Sequence, residues 1–270
     1  MVVPAMSSSM EAPSPSADVV HAHDWRNRVS HQLVIEILVL GSLFLLYRYG
    51  RTFGSGHVEA ALRNADRIWL LERSWNLVNE VDLQRFVLGS PDLVRWMNRY
   101  YIAMHFPTTI AFLLWTYVFH PDAYVRTRWR FVVPTFLALV VHTVYPLAPP
   151  RMLADLGFVD TMAVYGPSAY GPPDPSSVAN QFAAMPSLHF GWAVLIAFGV
   201  ITLSSSRWRW LVLLHPVITL AVIVLTANHF WVDAIAVTVL IAAAFLLERV
   251  VLATKPYVAT VVNRGGARAA

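Results

Sequence analysis

Six stretches of this chain are too apolar and too long to be surface segments of a soluble fold. They run from about Leu33 to Tyr49, Tyr100 to Phe119, Phe131 to Leu147, Pro186 to Leu203, Trp210 to Leu225 and His229 to Leu252. Each is near the ~20 residues that a helix needs to cross a bilayer. Lipid supplies no hydrogen-bond partners to an open backbone, so segments of this kind are helical. The chain has 57% hydrophobic and 13% charged residues, where soluble domains carry roughly 25% charged. The expectation is an all-α integral membrane bundle of six transmembrane helices plus a surface amphipathic helix.

The surface helix is expected from about Val58 to Val87, where apolar residues alternate with Glu59, Arg63, Asp66, Arg67, Glu72, Arg73, Glu80, Asp82 and Arg85. That charge density is too high for a span. Residues 1–30, rich in Ser, Pro and Ala, read as a disordered cytoplasmic tail, 31–252 as one six-span membrane domain, and 253–270 as a second cytoplasmic tail. His21, His23 and His31 with Asp24, Arg26 and Arg28 read as a solvated juxtamembrane stretch rather than a metal site. Glu36, inside the first span, reads as facing other helices or the interface. Arg126, Arg128 and Arg130 in one expected turn, Arg207 and Arg209 in another, and Lys255, Arg264 and Arg268 in the tail assign those ends to the cytoplasm. The net charge of +4 forms no nucleic-acid patch and there is no cysteine, so neither a nucleic-acid partner nor a thiolate site is expected.

Polar chemistry concentrates at three helix ends. Ala184-Met185-Pro186-Ser187-Leu188-His189 places a proline, a hydroxyl and an imidazole where a polar loop becomes an apolar helix. The free amides and dipole of such a turn favour a phosphate. In Ala227-Asn228-His229-Phe230-Trp231-Val232-Asp233, His229 and Asp233 are spaced i, i+4 and within reach of each other on one helix face. An imidazole oriented by a carboxylate is an activated nucleophile or base. Pro146, Pro149 and Pro150 stop the third span and deliver Arg151 just past its end. All three ends fall on the extracytoplasmic face. The long Pro/Gly-rich connection from there to Ala184 is expected to be a lid.

Pro-Pro-Arg (149 to 151), Pro-Ser-Leu-His (186 to 189) and His-x-x-x-Asp (229 to 233), in that order, resemble the type-2 phosphatidic acid phosphatase superfamily. Within it they look like the inositolphosphotransferase branch related to inositol phosphorylceramide synthase. The similarity covers roughly Val58 to Leu252. It implies a plasma-membrane lipid phosphatase or phosphotransferase acting on a lipid phosphate or phosphodiester through a phosphohistidine, inositolphosphoryl transfer included, with no metal and no cofactor. By position, His229 is the nucleophile, Asp233 orients it, and His189 serves as acid and then base. Arg151, Ser187, Asn228 and the first amides of span four hold the phosphate. The wider superfamily has a lysine where this chain has Val144 and a Ser-Arg pair where it has Val222 and Ile223. Thr226 and Asn228 either replace those donors or act as helix caps. Val237 stands where the superfamily usually has a small residue.

Other polar and aromatic residues in the spans have simpler readings. His105, His142 and His215 read as satisfied interior groups, and Trp192, Trp208, Trp210 and Trp231 as interface anchors. Two alternatives to the enzyme remain: a haem-binding electron carrier ligated by His105, His142 and His215, and a catalytically degenerate membrane scaffold. Partners are membrane lipids and the lipid substrate; no oligomeric state is assigned.

Overall fold

The computed structural model describes residues 58–168 and 181–253, the backbone alone from 254 to 266, and five positions between Val34 and Leu45. The chain divides into two compact units, Met1–Leu45 and Leu46–Ala270. In the first, the five described positions are helical, and Ser42 Oγ donates to Leu38 O at 2.7 Å. The rest of the expected first span, Glu36, the leader with its histidines, and the side chains of Lys255, Arg264 and Arg268 lie outside the described residues.

The regular secondary structure of the second unit, among the described residues, is helical apart from one isolated bridge between Leu147 and Ala183. Its helices are α1 (Val58–Ser74), α2 (Glu80–Leu88), α3 (Pro91–Phe119), α4 (Pro121–Val144), α5 (Thr161–Tyr165), α6 (Leu188–Leu203), α7 (Leu214–Leu225) and α8 (Trp231–Gly266), with 3-10 turns at Pro150–Met152, Ala154–Leu156 and Arg207–Leu213. Three helical stretches among the described residues are long and apolar enough to cross a membrane: Pro91–Phe119, Arg207–Leu225 and Trp231–Ala253. The chain is an integral membrane protein on that evidence. The expected count of six is not reached by the described helices. Helix α4 carries Asp122, Arg126, Arg128 and Arg130 inside it, which lowers its apolar content, and α6 has 16 residues, about 24 Å of helix.

The boundaries correct the sequence reading in four places. The expected single surface helix is two helices. The chain turns at Asn76, whose φ of 54° lies in the left-handed region that asparagine tolerates, and restarts at Asn79, whose side chain accepts from Val81 N. Its apolar face is core: Ala61, Ala65, Ile68 and Val81 are buried. Arg126, Arg128 and Arg130 sit within α4 rather than in a turn, because Pro121 begins the helix directly after α3 ends. There Arg130 Nε donates to Glu248 of α8 at 2.9 Å, and Arg126 pairs with the same carboxylate. Pro186 is not the first helical residue; Ser187 is the N-cap and α6 begins at Leu188. Finally, α8 begins at Trp231, past His229, and continues beyond the expected end at Leu252.

Part of the described portion of the expected lid is core. Leu153, Phe158 and Met162 are buried, and amides reach in to satisfy the backbone of this connection. Gln84 Nε2 donates to Val159 O at 2.8 Å while its Oε1 accepts from Val159 N at 2.9 Å. Asn98 Nδ2 donates to Thr161 O and Gly166 O, both at 3.0 Å. Buried backbone with such partners behaves as interior structure. Residues 169–180, with Tyr170 and Asp174, lie outside the described residues.

Helices α6 and α8 meet where Gly191 faces Val237. A Cβ on Gly191 would overlap Val237 Cγ2, so the valine occupies the space that the missing methyl leaves. Gly191→Ala is expected to destabilise the protein by about 1–3 kcal/mol through overpacking, and adding Val237→Ala should restore most of the loss. Thermal unfolding in detergent checks this; a Gly191→Ala midpoint equal to wild type would show that the two helices separate freely here.

Candidate active site

The ends of α6, α7 and α8 and the turn after α4 are tied to one another by backbone bonds. Arg151 N donates to Ala227 O at 2.8 Å, and Ser187 N donates to Asp233 O at 3.1 Å. The α7–α8 link is a tight turn: Ala227 has φ 53°, and Asn228 N and His229 N both donate to Ile223 O. This turn carries His229 into the protein, where it is 4% exposed; Asp233 is fully buried.

His229 Nδ1 lies 2.9 Å from Ala184 O and 3.1 Å from Asp233 Oδ2. A carbonyl and a carboxylate both accept, so Nδ1 carries a hydrogen, and in the neutral imidazole Nε2 is then the nitrogen with the lone pair. Nε2 is buried and has no hydrogen-bond partner among the described residues. Asp233 Oδ2 also accepts from Phe230 N at 3.0 Å, so the carboxylate is fixed by the turn it orients. The pair meets as expected, but through the turn before α8 and not along a helix face.

His189, in the first turn of α6, has its ring 5.9 Å from that of His229. Tyr101 stacks on it at 4.1 Å and His105 lies against it at 4.3 Å, with Trp192 stacked on His105 at 4.4 Å. Among these rings the structure leaves about 10 Å3 of space, room for about one water. Ser187 is fully buried, and its Oγ accepts from Phe190 N at 3.4 Å as the cap of α6.

Arg151 is 4% exposed. Its Nε donates to Asn228 Oδ1 at 3.2 Å, Nη1 to Asp160 Oδ2 at 3.4 Å, and both Nη atoms to Gln181 Oε1 at 3.4 Å. Asn228 Nδ2 in turn donates to Thr226 Oγ1 at 2.7 Å. Asn228 therefore orients the arginine, and Thr226 braces Asn228. Val222 and Ile223, at the positions of the missing Ser-Arg pair, are buried apolar side chains.

All six expected site residues thus gather at one end of the bundle. Of the residues that hold them, the sequence reading did not single out Tyr101 or Gln181, and it read His105 and His142 only as satisfied interior groups. Tyr101 and His105 share a face of α3 at i, i+4 spacing, a signal available but not used. His142 Nε2 donates to Pro186 O at 3.0 Å and so steadies the segment leading to Ser187; Gln181 had no signal at all. His215 bonds the Tyr100 hydroxyl through Nδ1 at 2.9 Å.

An all-helical membrane protein with a buried His–Asp pair, a second histidine and an arginine at one helix-end cluster has the make-up of a phosphoryl-handling enzyme. A model of the PAP2 superfamily matches residues 66–247. The chain belongs to that superfamily, which points to phosphatase-type chemistry on phosphate esters. No curated protein and no solved structure matches the chain.

Proposed function

We propose that this protein is a membrane-embedded lipid phosphatase or phosphotransferase working through a phosphohistidine on His229. The observation that carries this reading is the state of His229: Nδ1–H is fixed by Ala184 O and Asp233, and Nε2 is buried, unpartnered and beside His189. In the first step Nε2 attacks phosphorus, the bond from phosphorus to the leaving oxygen breaks, and His189 gives that oxygen a proton. In the second, His189 takes a proton from water or an alcohol, whose oxygen attacks phosphorus and breaks the P–N bond. From a phosphate monoester, water yields free phosphate; from a phosphodiester such as a phosphoinositide, a lipid alcohol takes the inositolphosphoryl group and forms a new diester. The charge of the transferring group is borne by Arg151, Ser187 and the first amides of α6. The contacts of Arg151 to Asp160 and Gln181, at the long limit for hydrogen bonds, are the ones a phosphate would replace.

A lipid substrate is supported by a groove of about 500 Å3 walled by Leu77, Val78, Phe190, Leu220, Trp231 and Ile235. Phe190 and Trp231 adjoin His189 and stand two residues past His229, so an acyl chain laid there keeps its phosphate near the imidazoles. The arginines of α4 and of the 207–213 turn lie at the opposite helix ends, which supports an extracytoplasmic site; the plasma membrane is the membrane we propose for it. Steps of this kind need no metal.

The test is phosphate release by purified protein from lipid phosphates and lipid pyrophosphates in EDTA, with matched water-soluble esters beside them. Release from the lipids, with an acid-labile phosphoenzyme trapped from labelled substrate, is the expected result. A phosphoinositide donor with a lipid alcohol acceptor tests the transfer branch. No release, no transfer and no phosphoenzyme would return the chain to the degenerate-scaffold reading.

A further inference from the structure

Asp233 lies in the first turn of α8 and His229 leads into it, so whatever fixes that turn fixes both. Helix starts have free amides, and here the Val232 N–H donates to Glu72 Oε1 at 2.8 Å. Beside it Trp231 Nε1 donates to Val78 O at 3.0 Å. Two bonds therefore tie the α1–α2 elbow to the start of α8, across a sequence separation that no local propensity spans.

Glu72 and Glu80 are both fully buried and within hydrogen-bonding reach of each other. Glu80 Oε2 accepts from Arg73 Nη2 at 2.9 Å. The other two oxygens, Glu72 Oε2 and Glu80 Oε1, meet no donor in the described chain. Two ionised carboxylates in contact would repel and leave both oxygens orphaned, whereas one proton between them supplies the missing donor. We propose that Glu72 and Glu80 are a positioning pair, sharing one proton, that holds the start of α8 and thereby sets the His229–Asp233 geometry.

The groups facing Glu72 are Glu80 of α2, Arg73 on its own helix, and Asp233 with the Val232 amide on α8. Burial chiefly, then the contact with Glu80, raises the Glu72 carboxyl from its ordinary 4.5 to about 9. The folded chain therefore keeps a proton that the unfolded chain releases. The resulting stabilisation is complete below pH 4.5 and is lost as pH rises through about 9.

Glutamine at position 72 reproduces the protonated acid: its carbonyl accepts from Val232 N–H and its amide donates to Glu80. The positioning role rests on the function proposed above; the shared proton does not. The experiment measures lipid-phosphate release and the thermal midpoint of purified full-length protein from neutral pH to above pH 9, for wild type, Glu72→Gln and Glu72→Ala. Wild type should lose activity and midpoint as pH rises through about 9. Glu72→Gln should keep activity at neutral pH and lack both alkaline losses. Glu72→Ala should drop about 10²-fold in kcat, the scale of a misplaced catalytic group. Coincident pH dependence in wild type and Glu72→Gln would overturn the shared proton, and full activity in Glu72→Ala would overturn the positioning role. A wild type inactive on every phosphate ester refutes the proposed function instead, and the midpoint slopes still decide the pair.

Discussion

His229→Ala is expected to lower lipid-phosphate release by about 10⁴-fold or more, the scale seen when a nucleophile is deleted. The loss should appear in kcat with the protein still folded. The turn is held by backbone bonds from Asn228 and His229 to Ile223 O that alanine preserves. The labelled phosphoenzyme should vanish in parallel. Asp233→Asn should be less severe, about 10²- to 10⁴-fold: an amide can still accept from Phe230 N but orients the imidazole poorly. Release from His229→Ala within tenfold of wild type would remove His229 from the chemistry and with it the phosphohistidine.

Arg151→Ala is expected to cost about 10²- to 10³-fold in kcat, as for removal of a donor aimed at transition-state charge. Among the described residues, its guanidinium is the buried cation tied directly to the His229 turn, and the positions of the superfamily's Ser-Arg pair hold Val222 and Ile223 instead. Arg151→Lys should recover only part of the loss. A lysine keeps the charge, but its single ammonium cannot bond Asn228 Oδ1 and present a planar fork to a phosphate together. Separate measurement of kcat and KM checks the assignment: a change confined to KM would make Arg151 a substrate anchor with no part in the chemical step.

The gathering of Arg151, Ser187, His189, Asn228, His229 and Asp233 was legible because each lies at a helix end marked by proline, a cap or a break in the apolar run. Chain direction then alternates those ends between two faces. How the residues reach one another was less legible. The i, i+4 spacing of His229 and Asp233 suggested a shared helix face, yet the contact forms across a turn whose shape depends on the left-handed Ala227. The arginines of α4 read as a turn because charge usually marks one, while Glu248, far along the chain, makes Arg126 and Arg130 tolerable within a helix.

Sequence alone determined the medium, the helical class and the superfamily, because apolar run length and helix-end chemistry are local properties of the chain. Only the tertiary structure decided that Glu72 meets Val232, that Gln84 and Asn98 bind the connection after Arg151, and that Tyr101 and His105 flank His189. These contacts join residues from about 60 to 160 positions apart, and no periodicity encodes them. Burial selects the hydrogen-bonded ones among them, since each of those pairs a polar group that the interior would otherwise leave unsatisfied.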